Sequence, residues 1–307
     1  MPTQPRQGMD HGHYRYSPIP TRPRLEWPGG AGLALWVVLY LEYWEINPPE
    51  DAYRDPRYAA PFGSFFPDYR THSIREYGNR VGIFRVLEVL DRYRVPVTVA
   101  ANAEACARYP YLMEAFAHRG WEVMAHGTHA TRMITSRMSE EEERAYIEES
   151  AAAVERATGQ RPAGWMSQDF GQSPRTPDLV AEAGFRYMAD WPNDDQPYPM
   201  TLDRPLVSLP YHVEWDDVLL LWFRQVATPR YPDIVGDAFD RLLEEGKTTG
   251  RMMSLGVHPW LLGQPHRIRY LDEALAKIAG HQGLWKATGG EICEAFLKQQ
   301  PAPEPPA

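Results

Sequence analysis

Trp121-Glu122-Val123-Met124-Ala125-His126-Gly127-Thr128-His129 is a short apolar run that stops at a glycine set between two histidines. Read as a strand, it delivers imidazoles at its carboxyl end, and Gly127 allows a sharp exit there. The fold follows from how often this arrangement recurs along the chain. Leu33 to Leu41 is a continuous apolar run, as expected for a strand buried on both faces, and it ends at Glu42. Val97 to Ala101 ends at Asn102, Phe185 to Ala189 at Asp190, Leu206 to Tyr211 at His212, and Met252 to Val257 at His258. Short segments at Arg161 to Met166 and Leu284 to Ala287 extend the series.

Between these runs lie helical patterns. Arg80 to Arg94, Ala103 to His118, Pro232 to Glu245, Tyr270 to Ala279 and Glu291 to Lys298 carry apolar residues at helical spacing. Ser139 with Glu142 forms a capping box for a helix to Thr158 that Gly159 closes, and Thr176-Pro177-Asp178 opens another that Gly184 closes. Strand and helix alternate about seven times, which selects a parallel α/β architecture, either a closed barrel or an open doubly wound sheet. No glycine fingerprint follows the first strand, so no nucleotide cofactor is expected.

Composition narrows the function. A chain of 307 residues that is 43% hydrophobic can bury one large core, and one barrel domain over 31–298 is expected. Residues 1–30 read as an irregular Pro- and Gly-rich arm with His11-Gly12-His13, and 299–307 as a disordered tail. The net charge of -9, without a basic run, argues against nucleic acid or an anionic membrane as partner and favours a small-molecule substrate. Cys106 and Cys293 stand alone, which suggests buried thiols and no disulfide framework. The first residues lack an apolar core segment and the longest apolar run is too short to span a bilayer, so a cytoplasmic protein is expected. The stretch from Tyr43 to about Thr71, with Phe62, Phe65, Phe66 and Tyr69, is either a lid or a loop that packs its own aromatics.

In a parallel barrel the carboxyl ends of the strands converge on one mouth, which gathers Glu42, Asn102, His126, Asp190, His212 and His258. A carboxylate with several histidines suits water-activated hydrolysis, with a metal or with the carboxylate acting directly as base. Glu42 is the natural base and His258 the natural acid, since imidazole can give a proton to a leaving nitrogen near neutral pH. His126 and His129 could be two metal ligands or a structural pair bonded to backbone carbonyls. Arg161 and Asp190 are expected behind them, orienting Glu42 or His258. Trp44, Trp165 and Trp191 could line the pocket together with His212. Asp194 and Asp195 could bind a polar edge of the substrate or cap a turn.

These segments, in this order, resemble the polysaccharide deacetylase superfamily, the carbohydrate esterase family four fold, an irregular (β/α) barrel. The family's Thr-Phe-Asp-Asp-Gly motif falls on Tyr40-Leu41-Glu42-Tyr43-Trp44, and His-Ser/Thr-x-x-His falls near His126-Gly127-Thr128-His129. Arg-x-Pro-x-Gly looks like Arg161-Pro162-Ala163-Gly164, and Leu-x-x-His is Leu255-Gly256-Val257-His258. The resemblance is closer to the allantoinase-like, cyclic-amide-hydrolysing branch through Tyr16-Ser17-Pro18-Ile19, the stretch Arg75-Glu76-Tyr77-Gly78-Asn79-Arg80-Val81-Gly82, Asn193 to Tyr198, and Gly256-Val257-His258-Pro259. The departures are that Glu42 and Tyr43 replace the two acids, and that the histidine pair and the Arg-Pro motif are each one residue short. Either Glu42 turns toward His126 and His129 to complete a zinc site, or the protein works without metal, as that branch is thought to. The resemblance implies hydrolysis of a non-peptide C–N bond in a small amide, ureide or cyclic imide, by a homodimer or homotetramer. The alternatives are an N-deacetylase of an acetylated amino sugar and a catalytically degenerate binding protein of the same fold.

Overall fold

The computed structural model describes residues 10–53 and 65–300, so Phe62 of the long loop and Pro301 to Ala307 of the tail lie outside the described residues. The strands are β1 (Leu33–Leu41), β2 (Val97–Ala101), β3 (Glu122–Ala125), β4 (Gly164–Trp165), β5 (Tyr187–Met188), β6 (Tyr198–Pro199), β7 (Val207–Ser208), β8 (Arg251–Val257) and β9 (Leu284–Lys286). They form one sheet in the order β6-β7-β5-β4-β3-β2-β1-β8, with β9 also pairing β1. Every pairing is parallel except β6 with β7. β1 is the axis of the sheet: Leu33–Leu39 pairs with β8, while its other edge meets β9 at Leu33–Leu35 and β2 at Val37–Leu41.

The alternation along β1 separates two cores. Leu33, Leu35, Val37, Leu39 and Leu41 pack outward against the helices, while Ala34, Trp36, Val38 and Tyr40 fill the interior with Met124, Met166, Tyr187, Tyr211 and Met252. Both faces are dry, which is why β1 shows no polar alternation in sequence. The sheet curls into an irregular barrel. Among the described residues no strand bridges β8 to β7; instead Met252 N–H donates to the Asp195 carbonyl (2.8 Å) and His212 N–H to Ser254 Oγ (2.7 Å), tying the two edges together.

The helices are α1 (Tyr69–Tyr77), α2 (Ile83–Arg92), α3 (Ala103–Arg108), α4 (Pro110–His118), α5 (Glu140–Thr158), α6 (Thr176–Glu182), α7 (Tyr231–Gly246), α8 (Ile268–Ile278) and α9 (Gly289–Leu297). The Ser139 capping box forms as the sequence dictates, and Gly159 ends α5 in the left-handed conformation. The single helix expected over Ala103 to His118 is two, because Pro110 cannot donate to the preceding turn and Tyr109 leaves helical geometry (φ -119°, ψ 57°). The long loop ends earlier than expected, at Asp68, whose side chain accepts the Thr71 N–H (2.9 Å) and caps α1. The Gln299 side chain bonds both backbone groups of Glu26 (2.9 and 2.8 Å). Among the described residues, no helix is long and apolar enough to cross a membrane.

Between α1 and α2 the chain widens into a π turn over Gly78–Gly82. The two glycines permit close contact: a Cβ on Gly78 would lie 2.5 Å from Trp260 N, and one on Gly82 2.2 Å from the Pro259 carbonyl oxygen. The π turn is thereby pressed onto the segment that follows His258. Such widened turns often aim side chains at functional sites, and here the residues before and within it are Arg75 and Asn79.

Candidate active site

At the carboxyl ends of the strands lies a cavity of about 330 Å3, lined among others by Tyr40, Glu42, Trp44, Arg75, His126, Gln168, Asp216 and His258. Its outer wall is apolar, with Phe170, Pro192, Val213, Val218, Leu219 and Phe223. Glu42 is 8% exposed at the end of β1. Its position is fixed twice: Asn79 Nδ2 donates to its carbonyl (2.8 Å), and Gln168 Nε2 donates to its Oε1 (2.9 Å). Gln168 is itself held by Asn102 Nδ2 (3.2 Å), so the residue ending β2 supports the one ending β1 through a third loop. The next two residues, Asp169 and Phe170, have positive φ (48° and 57°), strain of the kind that collects where a loop must present a side chain to a site.

His126 ends β3, and its Nδ1 lies 2.9 Å from the Met166 carbonyl. A carbonyl only accepts, so Nδ1 carries the proton and Nε2, buried and without a hydrogen-bond partner among the described residues, faces Glu42 Oε1 at 3.7 Å. Burial would raise the Glu42 carboxyl, but the His126 ring and the charges of His258 and Arg75 hold it down to about 2. Glu42 is therefore a carboxylate throughout the neutral range.

His258 ends β8. Its Nδ1 lies 2.6 Å from Asp217 Oδ1, and its backbone N–H donates to Asp217 Oδ2 (2.8 Å). Burial alone would lower its pKa, but the Asp217 charge and hydrogen bond, with Asp216 and Glu42 nearby, lift it to about 9. Tyr40 stacks on the ring at 3.8 Å and stands edge-on to His126 at 5.4 Å, so one β1 side chain separates the two imidazoles. Glu42 and His258 thus line one small pocket, each held by a partner behind it.

Several expected site residues stand elsewhere. His129 faces Glu45 (3.9 Å), whose carboxylate is also gripped by Arg132 (2.6 Å) and Thr131, so His129 does not join Glu42 and His126. Arg161 precedes β4, at the end opposite the mouth, and bonds Glu148 (2.8 Å) and the Ala183 carbonyl (2.9 Å) at the surface. It orients neither Glu42 nor His258. Asp190 accepts from the Ser167 N–H and Oγ (both 2.7 Å), so it fixes the loop after β4 rather than Glu42 or His258; burial raises its carboxyl to about 6.

Trp165 is fully buried against Tyr146 and Phe185, a core residue and not a pocket wall. Trp191 packs on the rings of His11, His13 and Tyr14, and Pro192 supplies the wall in its place. Asp194 caps its own turn through the Asp195 and Gln196 N–H groups and pairs with Arg22 (2.5 Å), anchoring the N-terminal arm. His212 stacks on Trp215 and lies 3.4 Å from Asp195, forming part of the seam that closes the barrel. Of the expected lining residues, Trp44 alone faces the cavity.

The zinc expectation shifts as well. Among the described residues, the group able to ligate a cation is Asp216, Asp217 and His258, whose ligand atoms lie within 4.8 Å of one another, and not Glu42, His126 and His129. Its donors are already engaged. Asp216 Oδ1 accepts from Val218 and Leu219 N–H (2.9 and 3.2 Å), its Oδ2 accepts from Tyr211, and Asp217 spends both oxygens on His258. The Asp217 carboxylate holds His258 at Nδ1, so Asp216, Asp217 and the Nε2 of His258 are the groups that would hold a cation at this place.

Residues 76–188 match the Polysaccharide deacetylase family model. A crystal structure described as a "probable Polysaccharide deacetylase" from Pseudomonas aeruginosa is 30% identical over 92% of this chain and 96% of its own, with a TM-score of 0.81. The crystal structure of Puue Allantoinase is 28% identical over 92% of this chain and 95% of its own, with the same TM-score of 0.81. A Schizosaccharomyces pombe protein named "Putative polysaccharide deacetylase" is 28% identical over 92% of this chain and 95% of its own length. With one barrel shared from end to end by these relatives, and a carboxylate and a histidine at its mouth, the chain belongs to the polysaccharide deacetylase family, hydrolases of amide C–N bonds.

Proposed function

We propose that the protein hydrolyses a non-peptide C–N bond in a small amide, ureide or cyclic imide. The observation that carries this reading is the small pocket of about 330 Å3 lined by both Glu42, whose carboxyl is held down to about 2, and His258, whose imidazole is lifted to about 9. Catalytic power of this kind needs a base and an acid whose environments push their pKa values apart, and the two residues meet that condition. The volume is at the lower end for ligand sites and suits one small molecule more than a polymer chain.

A water molecule held between the Glu42 carboxylate and the His126 Nε2 would present its oxygen lone pair to the carbonyl carbon. Glu42 takes one proton as the new C–O bond forms. His258 then gives its Nε2 proton to the nitrogen as the C–N bond breaks, leaving a carboxylic acid and an amide N–H (from an imide), a urea N–H (from a ureide) or an amine (from a simple amide), and Asp217 steadies the imidazolium before transfer. The Glu42 proton returns the site to its starting state through the product or solvent. Asp216 and Tyr40 contribute packing and charge around His258 without exchanging protons.

N-deacetylation of an acetylated amino sugar is the second reading, favoured by the names of two of the relatives above. Turnover assays on succinimide, hydantoin and an oligomer of N-acetylglucosamine separate the two. The first reading expects ring opening of an imide or ureide, abolished by Glu42→Gln. Acetate release from the sugar alone would overturn it in favour of the second.

A further inference from the structure

We propose that Arg75 selects the substrate by binding, edge-on, a second planar carbonyl of the molecule whose other carbonyl meets Glu42 and His258. This rests on the small-amide reading above. Arg75 is 6% exposed yet lines the cavity. Its guanidinium is sandwiched between two indoles, with Cζ 4.4 Å from the Trp44 ring and 3.6 Å from the Trp260 ring. A guanidinium covered on both faces can meet a ligand only through the N–H groups in its plane, a rigid fork suited to planar oxygen acceptors.

The clamp is also tied to the chemistry. Trp260 follows His258 by two residues, and α1, which carries Arg75, is seated on Trp260 and Pro259 through Gly78 and Gly82. The distance from the acid to the guanidinium is thereby set by backbone packing rather than by a free side chain. Val213, Val218, Leu219 and Phe223 give the cavity an apolar surface for a flat ring, and Arg75 and His258 are the two cationic groups in its lining to which a ligand with an oxygen at each end can turn them. A lactam, with a single carbonyl, cannot use both. A purely structural Arg75 would serve as a counter-charge for Glu42 and treat the two ligands alike.

The test compares succinimide with 2-pyrrolidinone, which is the same five-membered ring lacking one carbonyl. Dissociation constants are measured by calorimetry in a Glu42→Gln background, with Arg75 intact, Arg75→Lys and Arg75→Gln, and folding is checked by circular dichroism. With Arg75 intact, succinimide should bind at least about tenfold tighter, the scale of one charge-assisted hydrogen bond. The ratio should fall toward one in Arg75→Gln and be partly retained in Arg75→Lys. A ratio unmoved by Arg75→Gln, or succinimide that does not bind, overturns the inference. Turnover of succinimide by the unmutated protein, measured alongside, keeps the two readings apart: with turnover present and the ratio unmoved, the Arg75 assignment falls alone, whereas an enzyme that acts only on the N-acetylated sugar removes both.

Discussion

Asp217 holds His258 at two points, with one carboxylate oxygen 2.6 Å from the ring Nδ1 and the other on the backbone N–H at 2.8 Å. The pair fixes the ring, its tautomer and its charge together, leaving Nε2 as the atom that can reach substrate. Asp217→Asn keeps the shape and one acceptor but removes the charge that keeps the imidazole protonated. The expected outcome is a loss of about a hundredfold in kcat, in the range typical of general acid catalysis, with KM nearly unchanged. Steady-state kinetics on succinimide and hydantoin provide the check.

The pH profile follows from the same pair. His258 is raised to about 9 from 6.5, so its protonated form persists through neutrality and is lost as pH rises through about 9. Glu42 is lowered to about 2, so it stays ionised down to strongly acidic solution. The account expects kcat/KM to be flat across neutrality and to fall on an alkaline limb near pH 9. In Asp217→Asn that limb should move to lower pH. The stabilisation that the protonated His258 lends the fold is complete below about pH 6.5 and disappears over the same alkaline window.

Gln168 reaches Glu42 from a loop strained at the next two residues. Gln168→Leu removes the donor on Glu42 Oε1 without adding charge. A fall of about tenfold in kcat, the scale of one hydrogen bond to a charged group, is expected at an unchanged melting temperature. Retained kcat in a folded Gln168→Leu protein would mean that Glu42 is placed by its backbone alone.

The donors of Asp216, Asp217 and His258 are committed to protein partners, so metal should not be needed to hold the site together. Exhaustive treatment with chelator is expected to leave both turnover and melting temperature unchanged. A loss of activity restored by zinc would contradict this and would put the ion on His258 Nε2 beside Asp216 and Asp217.

What the sequence made legible follows from burial. β1 and β8 are long and dry on both faces, so their apolar runs announce both the parallel sheet and the residues that end them, Glu42 and His258. His126 was readable for the same reason, at the end of β3. The apolar runs before Asp190 and His212 are longer than the strands they form: β5 ends at Met188 and β7 at Ser208, and His212, four residues past β7, goes to the seam toward β8. The partners that tune the site come from loops and helix ends, where no periodicity marks them. Gln168 sits in a short turn, Arg75 on a helix whose π turn is not written in hydrophobic spacing, and Asp217 just before a second π turn over Val218–Phe223. The one available signal for Asp217 was an adjacent pair of acids preceding an apolar run, Asp216-Asp217-Val218-Leu219-Leu220.

The most direct test of the central claim is the turnover number for succinimide or hydantoin of the unmutated protein against Glu42→Gln, with identical folding verified for both. The account predicts measurable ring opening that falls by at least about a hundredfold in Glu42→Gln, as for loss of a general base. Equal turnover by the two proteins would contradict it.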